Sequence, residues 1–486
     1  MSIRTRMNDL RNLARPVVAG AAATGLQGVA NFFAVVYIAR VLSPSAYGVF
    51  SFTSAVAAIV SLFTYMGIPP LFTRKLTQED EVDKIGSYGF SLMGILSLVV
   101  AVGFLVFSNT IPTLRNHAST FDLWALIILA NGITPRWFYS AVGRIQLVAI
   151  GDMLGSWARL ILMLIFVRSR SDLNLAVLIT VGSALAPVLL EALYARRFAR
   201  YHLLVPRISM VFRILREALP LGITGYASVL FSGVDIWILD AHSGSAAVGY
   251  YSAAYRGVSF LSMFSMLYFN VTFPIISRLM SRDRQLAESF VRSAMIVVFA
   301  IAAPIGVGTI VVSRKLVLLV FGSSYAPSGA VLAVIIWSWV FGILRETFSN
   351  VLVGGHLEKV YSVLFAVSGV INVALMLVLV HWGPVGTASS LVISQAILMV
   401  SCGILVRRKL FAEPLGLRKN GMIYAKLLLS SAVMGLAVYV LQQVLPVCVV
   451  IIIGIIIYGG FVVLTNAISL KDIRRLVREA PMLERE

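Results

Sequence analysis

The sequence predicts an all-α membrane protein with about 14 transmembrane helices, arranged as two pseudo-symmetric six-helix lobes around a central cavity plus two C-terminal helices. Three observations lead there. Of 486 residues, 59% are hydrophobic and only 13% are charged, about half the charge of a soluble domain. The apolar residues come in runs of the ~20 residues that a helix needs to cross the hydrocarbon core. The basic residues gather in alternate connections. Together these features exclude a soluble enzyme, a disordered chain and a nucleic-acid binder.

The elements follow in chain order. Residues 1–16 place Ile3, Met7, Leu10 and Ala14 at helical spacing among arginines, the pattern of an amphipathic segment lying in the membrane interface. Spans are expected at about 17–39, 49–72, 86–111, 121–142, 147–167, 175–195, 217–241, 250–276, 290–313, 328–353, 360–381, 386–405, 424–444 and 449–468. Two basic loops divide them six, six and two. The result is an N-lobe over 17–198, a basic cytoplasmic linker over 199–216 and a C-lobe over 217–405. A cytoplasmic loop over 406–423, two spans over 424–468 and a basic tail over 469–486 complete the chain.

Orientation follows from charge. With the N-terminus inside, 28 lysines and arginines fall in inside segments and six in outside loops, as the positive-inside rule requires. The expectation is a bacterial inner-membrane protein with both termini cytoplasmic. The net charge of +19 then reflects orientation, and no nucleic acid is expected as partner. Cys402 and Cys448 lie in separate apolar segments, and the five histidines form no metal-binding spacing. No GxxxxGK[ST] motif occurs, so the chain does not hydrolyse ATP. The outward loops hold Asp172, with Asp122 and Asp240 at span edges, too few carboxylates for a membrane glycosyltransferase. Neither enzymatic activity nor a cofactor is expected.

A faint internal repeat underlies the six-six-two division. The turn Ser43–Ser51 between the first two spans has a counterpart in Ser243–Ser252 between the seventh and eighth. Gly67–Arg74 pairs with Asn270–Arg278, and Gly143–Gln146 with Gly355–Glu358. Six helices per copy keep both copies in the same orientation, so the repeat is parallel, about an axis along the membrane normal. Transporters built this way hold substrate between the halves.

The residues of this repeat also carry a family resemblance. Ile38–Phe50, followed by Gly67-Ile-Pro-Pro and Thr73-Arg74, resembles the first helical hairpin of the polysaccharide-transporter (O-antigen type) flippases. These belong to the multidrug/oligosaccharidyl-lipid/polysaccharide exporter superfamily. Leu319–Pro327 resembles the loop before their tenth helix. The resemblance implies movement of a polyprenyl-pyrophosphate-linked oligosaccharide from the cytoplasmic to the outer leaflet for surface polysaccharide assembly. Its partners would be that lipid-linked oligosaccharide, membrane lipids and other polysaccharide-assembly proteins. A monomer suffices, since two lobes are already present. The rival readings are an organic-cation exporter of the same superfamily and a flippase of the peptidoglycan precursor.

Ionisable groups inside spans nominate the site, because each costs at least ~2.5–3.5 kcal/mol near the bilayer centre unless it faces protein or water. The cations are Arg136, Arg159, Arg256 and Arg345, and the anions Asp152, Glu191, Asp235 and Glu346. Guanidinium groups suit a pyrophosphate, since they offer a planar fork of donors and keep their charge. Arg256, Arg345, Arg136 and Arg159 are therefore the candidate substrate-binding residues. Their competing role is structural pairing: Asp235 with Arg256 at similar depth, and Asp152 with Arg159 on one helix face. Asp235, with Asn372 and Thr387 as oxygen donors, is the candidate coupling-ion site for a Na+ or H+ gradient. Gln27, Asn31 and Tyr37, with Tyr250, Tyr251 and Tyr255, are candidate sugar contacts. Gly20, Gly25 and Gly28 read as close-packing positions, and Pro69, Pro70 and Pro274 as bends in the second and eighth spans.

Overall fold

A computed structural model describes residues 3–65, 67–78, 82–197, 202, 204, 208–412 and 416–467. The basic tail and most of the linker at 199–207 lie outside the described residues, as do the side chains of 1–18. The described chain is helical, without strands, and forms two compact units, Met1–Gly249 and Tyr250–Glu486.

The first unit opens with α1 (Ile3–Val41), a single helix that runs through the expected interfacial segment into the first span. Next come α2 (Pro44–Tyr65), α3 (Ile68–Gln78), α4 (Val82–Thr110) and the short α5 (Pro112–Arg115). They are followed by α6 (Ala118–Ile133), α7 (Arg136–Ala141), α8 (Ile145–Phe166), α9 (Leu173–Ala195) and α10 (Ile208–Ser232). The start of α11 (Val234–Arg282) closes the unit. The second unit holds the remainder of α11, α12 (Arg284–Phe321), α13 (Ser328–Gly354), α14 (Glu358–Leu379), α15 (Gly383–Lys409), α16 (Leu417–Leu441) and α17 (Val447–Leu464).

Among the described residues, 11 runs are long and apolar enough to cross a membrane. The expected 14 are not reproduced by length and hydropathy, for reasons visible at three places. The run Val234–Arg282 contains a turn at Gly244 (φ 76°). The run Glu358–Lys409 contains a turn at Gly383 (φ 62°), where α14 gives way to α15. The fourth span is cut to the 16 residues of α6, because Thr134 takes an extended ψ of 121°. Pro135 favours that conformation, because its ring disfavours the helical region for the residue before it.

The second span also breaks, but at Gly67 rather than at the prolines. Gly67 has a φ of 77°, and a Cβ there would lie 2.0 Å from the Ala218 carbonyl oxygen on α10. Only glycine meets both demands. Pro69 and Pro70 then sit in the first turn of α3, where a missing N–H costs little. Pro274 lies inside α11, which continues through it.

The two broken spans share one core cluster of the first unit. Ile68, Leu71 and Phe72 of α3 pack with Trp137, Phe138 and Tyr139 of α7, and with Leu92, Met93 and Ala218, all essentially inaccessible. Phe72 and Trp137 meet edge-to-face at 5.7 Å. The opposite faces are apolar and outward: on α4, Leu98, Val99, Val102 and Val106 are all exposed, as helices bathed in lipid require.

The repeated turns also meet within the first unit. A Cβ on Gly48 would lie 1.7 Å from the Ser245 carbonyl oxygen, and one on Gly249 would lie 2.0 Å from the Pro44 carbonyl oxygen. Pro44 and Ser245 are separated by the same 201 residues as Gly48 and Gly249. The contact is therefore reciprocal, as in a two-fold interface. Gly25, expected at a close contact, would have nothing within 4 Å of an added Cβ, and Gly20 only Gln146 at 3.8 Å.

In the second unit, α13 packs on α12 and α15, and α14 on α15. The α16–α17 hairpin packs on α12, where Gly435 admits Val307 and the Tyr458 hydroxyl donates to the Ala300 carbonyl at 2.7 Å.

Candidate substrate cavity

The break at Pro135 does more than shorten a span. It lets α7 turn as a separate helix whose residues divide by face. Trp137, Phe138 and Tyr139 enter the core, while Arg136 and Ser140, four residues apart, are exposed and line a cavity of about 660 Å³. Gln27 and Asn31 of α1, Tyr65 of α2, Thr73 of α3 and Asp152, Ser156 and Arg159 of α8 line it too. α9 adds Ser183 and Pro187.

Polar contacts fix these side chains. Arg136 donates to Asp152 at 2.6 Å, with 60% of its side chain still accessible. Arg159 donates to the Asn31 side-chain oxygen. The Tyr65 hydroxyl donates to the Asn131 oxygen at 2.7 Å, and the Thr73 hydroxyl to the Trp137 carbonyl at 3.0 Å. The expected Asp152–Arg159 pairing is thus replaced by two contacts between helices. A shared helix face allows Asp152 and Arg159 to meet, but α7 and α1 bring partners closer to each.

Glu191 packs behind this site and carries a signal that a span-by-span reading of charges leaves unused. It is 8% exposed, and its Oε1 has no hydrogen-bond partner among the described residues. A Cβ on Gly151 would lie 2.3 Å from that oxygen, so glycine at 151 makes the space it occupies. The Tyr139 hydroxyl donates to the Glu191 carbonyl at 2.8 Å and braces α7 against α9.

The cavity therefore brings together two of the four candidate arginines. The charged side chains lining it are Arg136, Arg159 and Asp152, leaving one positive charge in excess among the described residues. Arg136 keeps donors free for an anion while Asp152 holds its position, and Gln27, Asn131 and Ser156 add neutral polar groups suited to hydroxyl-rich ligands.

The other candidates lie elsewhere. Arg345 of α13 is buried in the second unit. It donates to Glu346 at 2.6 Å and to the Tyr361 hydroxyl, and lies 5.9 Å from the centre of the Phe365 ring. Its two terminal nitrogens are thus committed to the fold, while its Nε has no hydrogen-bond partner among the described residues. Arg256 is half-buried on α11 and makes no ion pair among the described residues. Asp235 is 3% exposed and accepts from the Ile236 N–H at 2.9 Å. Asn372 accepts from Ser394 at 3.1 Å, and the Thr387 hydroxyl donates to the Gly383 carbonyl at 3.3 Å. Of the aromatic candidates, the Tyr37 hydroxyl donates to the Val167 carbonyl and Tyr251 is fully buried.

Comparisons with known proteins agree with this architecture. Residues 13–280, which contain every residue lining the cavity, match the family described as "Polysaccharide biosynthesis protein". Over 222 residues the chain is 23% identical to the "Putative O-antigen transporter" of Escherichia coli (strain K12), covering 45% of this chain and 54% of that one. The chain thus spans about half the length of the curated relative it matches. Its fold is similar to the inward closed conformation of the lipid II flippase MurJ. That likeness has a TM-score of 0.72 at 13% identity, over 91% of this chain and 98% of that one. It is also similar to an inward-facing multidrug resistance MATE transporter of the MOP superfamily. There the TM-score is 0.61 at 16% identity, over 79% of this chain and 95% of the other. A helical chain with this match over more than half its length belongs to the family described as "Polysaccharide biosynthesis protein".

Proposed function

We propose that the protein is a flippase that moves a polyprenyl-pyrophosphate-linked oligosaccharide from the cytoplasmic to the outer leaflet of the inner membrane by alternating access. The observation that carries this reading is the coincidence of the family match with the cavity. The residues similar to a polysaccharide biosynthesis family build a polar recess with Arg136 and Arg159 on its wall.

The physical task is to carry a charged, hydroxyl-rich head group across ~30 Å of hydrocarbon while its lipid tail stays in the bilayer. Desolvating a phosphate is costly unless charge and hydrogen bonds replace its water. Arg136, accessible and held by Asp152, supplies a fork of donors in a charge-assisted contact. Arg159 adds a second cation, and the neutral amides and hydroxyls take sugar hydroxyls. The chain itself performs no bond chemistry in this scheme and holds no cofactor. An ion gradient supplies the energy, and both termini stay in the cytoplasm.

The test uses bacterial membranes depleted of this protein, with lipid-linked oligosaccharide probed by an externally added glycan-cleaving enzyme. Protection of the glycan without the protein, and cleavage on its return, is the expected result. Unchanged cleavage combined with retention of organic cations in the cells would overturn it in favour of a drug exporter.

A further inference from the structure

The break in the fourth span has a second consequence, on the outer face of the first unit. Because α6 stops at Ile133, the helices on either side of it, α4 and α9, face each other across an open groove of about 410 Å³. Gly132 seats the last turn of α6 tightly on α4, since a Cβ there would lie 2.0 Å from the Ser97 hydroxyl and 2.9 Å from the Gly94 Cα. Gly94 itself has nothing within 4 Å of a Cβ position, so the groove floor is bare backbone. Leu98 and Ile133 flank the groove and are 56% and 38% exposed, which places its mouth among lipid chains. From Phe90 to Leu98 it follows α4 for roughly 12 Å.

One end differs from the rest. Arg196, at the C-terminus of α9, and His202 line the groove there, both exposed, and no carboxylate lines it among the described residues. The chain is tied over this end: the His202 N–H donates to the Ser87 hydroxyl at 3.0 Å and the Leu204 N–H to the Ser91 hydroxyl at 2.9 Å. The result is an apolar slot with a fixed basic end.

We propose that this groove holds one anionic phospholipid, with an acyl chain along α4 between Gly94 and Leu98 and its phosphate against Arg196 and His202. Charge complementarity selects an anionic headgroup, and the apolar lining along α4 selects a lipid over a free phosphate. The site is separate from the substrate cavity and does not depend on the function proposed above.

The test uses the full chain purified in a neutral detergent, with phosphatidylglycerol or phosphatidylcholine added. Bound lipid is counted by native mass spectrometry. Wild type should retain one phosphatidylglycerol in preference to phosphatidylcholine. Arg196→Ala should reduce phosphatidylglycerol retention about fivefold, the weight of one basic residue beside an anionic surface, and leave phosphatidylcholine unchanged. Gly94→Leu should fill the slot and abolish retention of both lipids, with the lipid-free unfolding temperature unchanged or slightly raised because the added side chain enters open space. Equal retention of the two lipids by wild type, or retention unaffected by both substitutions, would overturn the proposal.

Discussion

Arg136 and Arg345 stand on corresponding spans of the two repeats, yet the structure uses them in opposite ways. Arg136 follows a helix break and reaches a cavity with 60% of its side chain accessible. Arg345 sits inside the unbroken α13, 8% exposed, with Glu346, Tyr361 and Phe365 around it. The difference lies in the backbone. Pro135 ends α6 and frees α7 to present Arg136, whereas α13 has no interior proline and keeps Arg345 among its packing neighbours. At Arg136 the interruption of the helix leaves a span charge accessible at the cavity wall. In the continuous α13 Arg345 is neutralised by Glu346 instead, although Arg159 of the unbroken α8 still lines the cavity.

The sharpest way to break this comparison is to remove each arginine. Arg345→Ala leaves Glu346 without its charge partner and the Tyr361 hydroxyl without its donor, and should cost about 3–5 kcal/mol. A large fall in unfolding temperature and in membrane abundance is expected. Arg345→Lys should recover little, because a lysine cannot span the same partners with a planar fork.

The repeat contact comes next, since there the copies are equivalent. Gly48→Val and Gly249→Val each drive a side chain into a carbonyl of the other turn. Both should cost about 3 kcal/mol, the upper part of the usual overpacking range, and by similar amounts. Gly25→Ala, in open space, should be neutral or stabilise by up to ~1 kcal/mol. Thermal unfolding of the three variants in detergent checks this order, and a large difference between the Gly48 and Gly249 variants would break the reciprocity.

Arg136→Ala should change stability by less than ~1 kcal/mol, because the pair is open to solvent, while lowering transport at least tenfold. Arg136→Lys should fall between them. The smallest effect belongs to Asp172, in the loop before α9. Its carboxylate accepts the backbone N–H groups of Arg168 and Ser169, the Arg168 bond contributing most, and is held below its ordinary value. A depressed pKa contributes stability above the unfolded value and loses it as pH falls through the folded one. Unfolding temperature should therefore not respond to this group between pH 5 and 8. A small decline should appear below about pH 4 and be absent in Asp172→Ala.

Much of the fold is legible in the sequence because bilayer thickness imposes long apolar runs, and α4, α8, α9, α13 and α17 fall where those runs predict. The breaks are less legible. Gly67 and Pro135 are visible as residues, but whether a span kinks or ends depends on what the freed backbone packs against, which for Gly67 is Ala218 on α10. The reciprocal glycines carry a readable signal, since Gly48 and Gly249 occupy matching places in the repeated turns. The small residues of the first span point to Gly20, Gly25 and Gly28 instead. The arginine assignments follow the same division. Residue type nominates Arg256 and Arg345 ahead of Arg136 and Arg159, and only the partners supplied by distant helices separate a cavity side chain from a packed one.

In the proposed mechanism Arg136 serves the cargo and Arg345 the fold. This division of roles is tested most directly by glycan accessibility in membranes carrying Arg136→Ala at wild-type protein level. Normal abundance and unfolding temperature are expected, with the lipid-linked glycan protected from the external enzyme. Cleavage at the wild-type rate would contradict it and remove the cavity from the transport path.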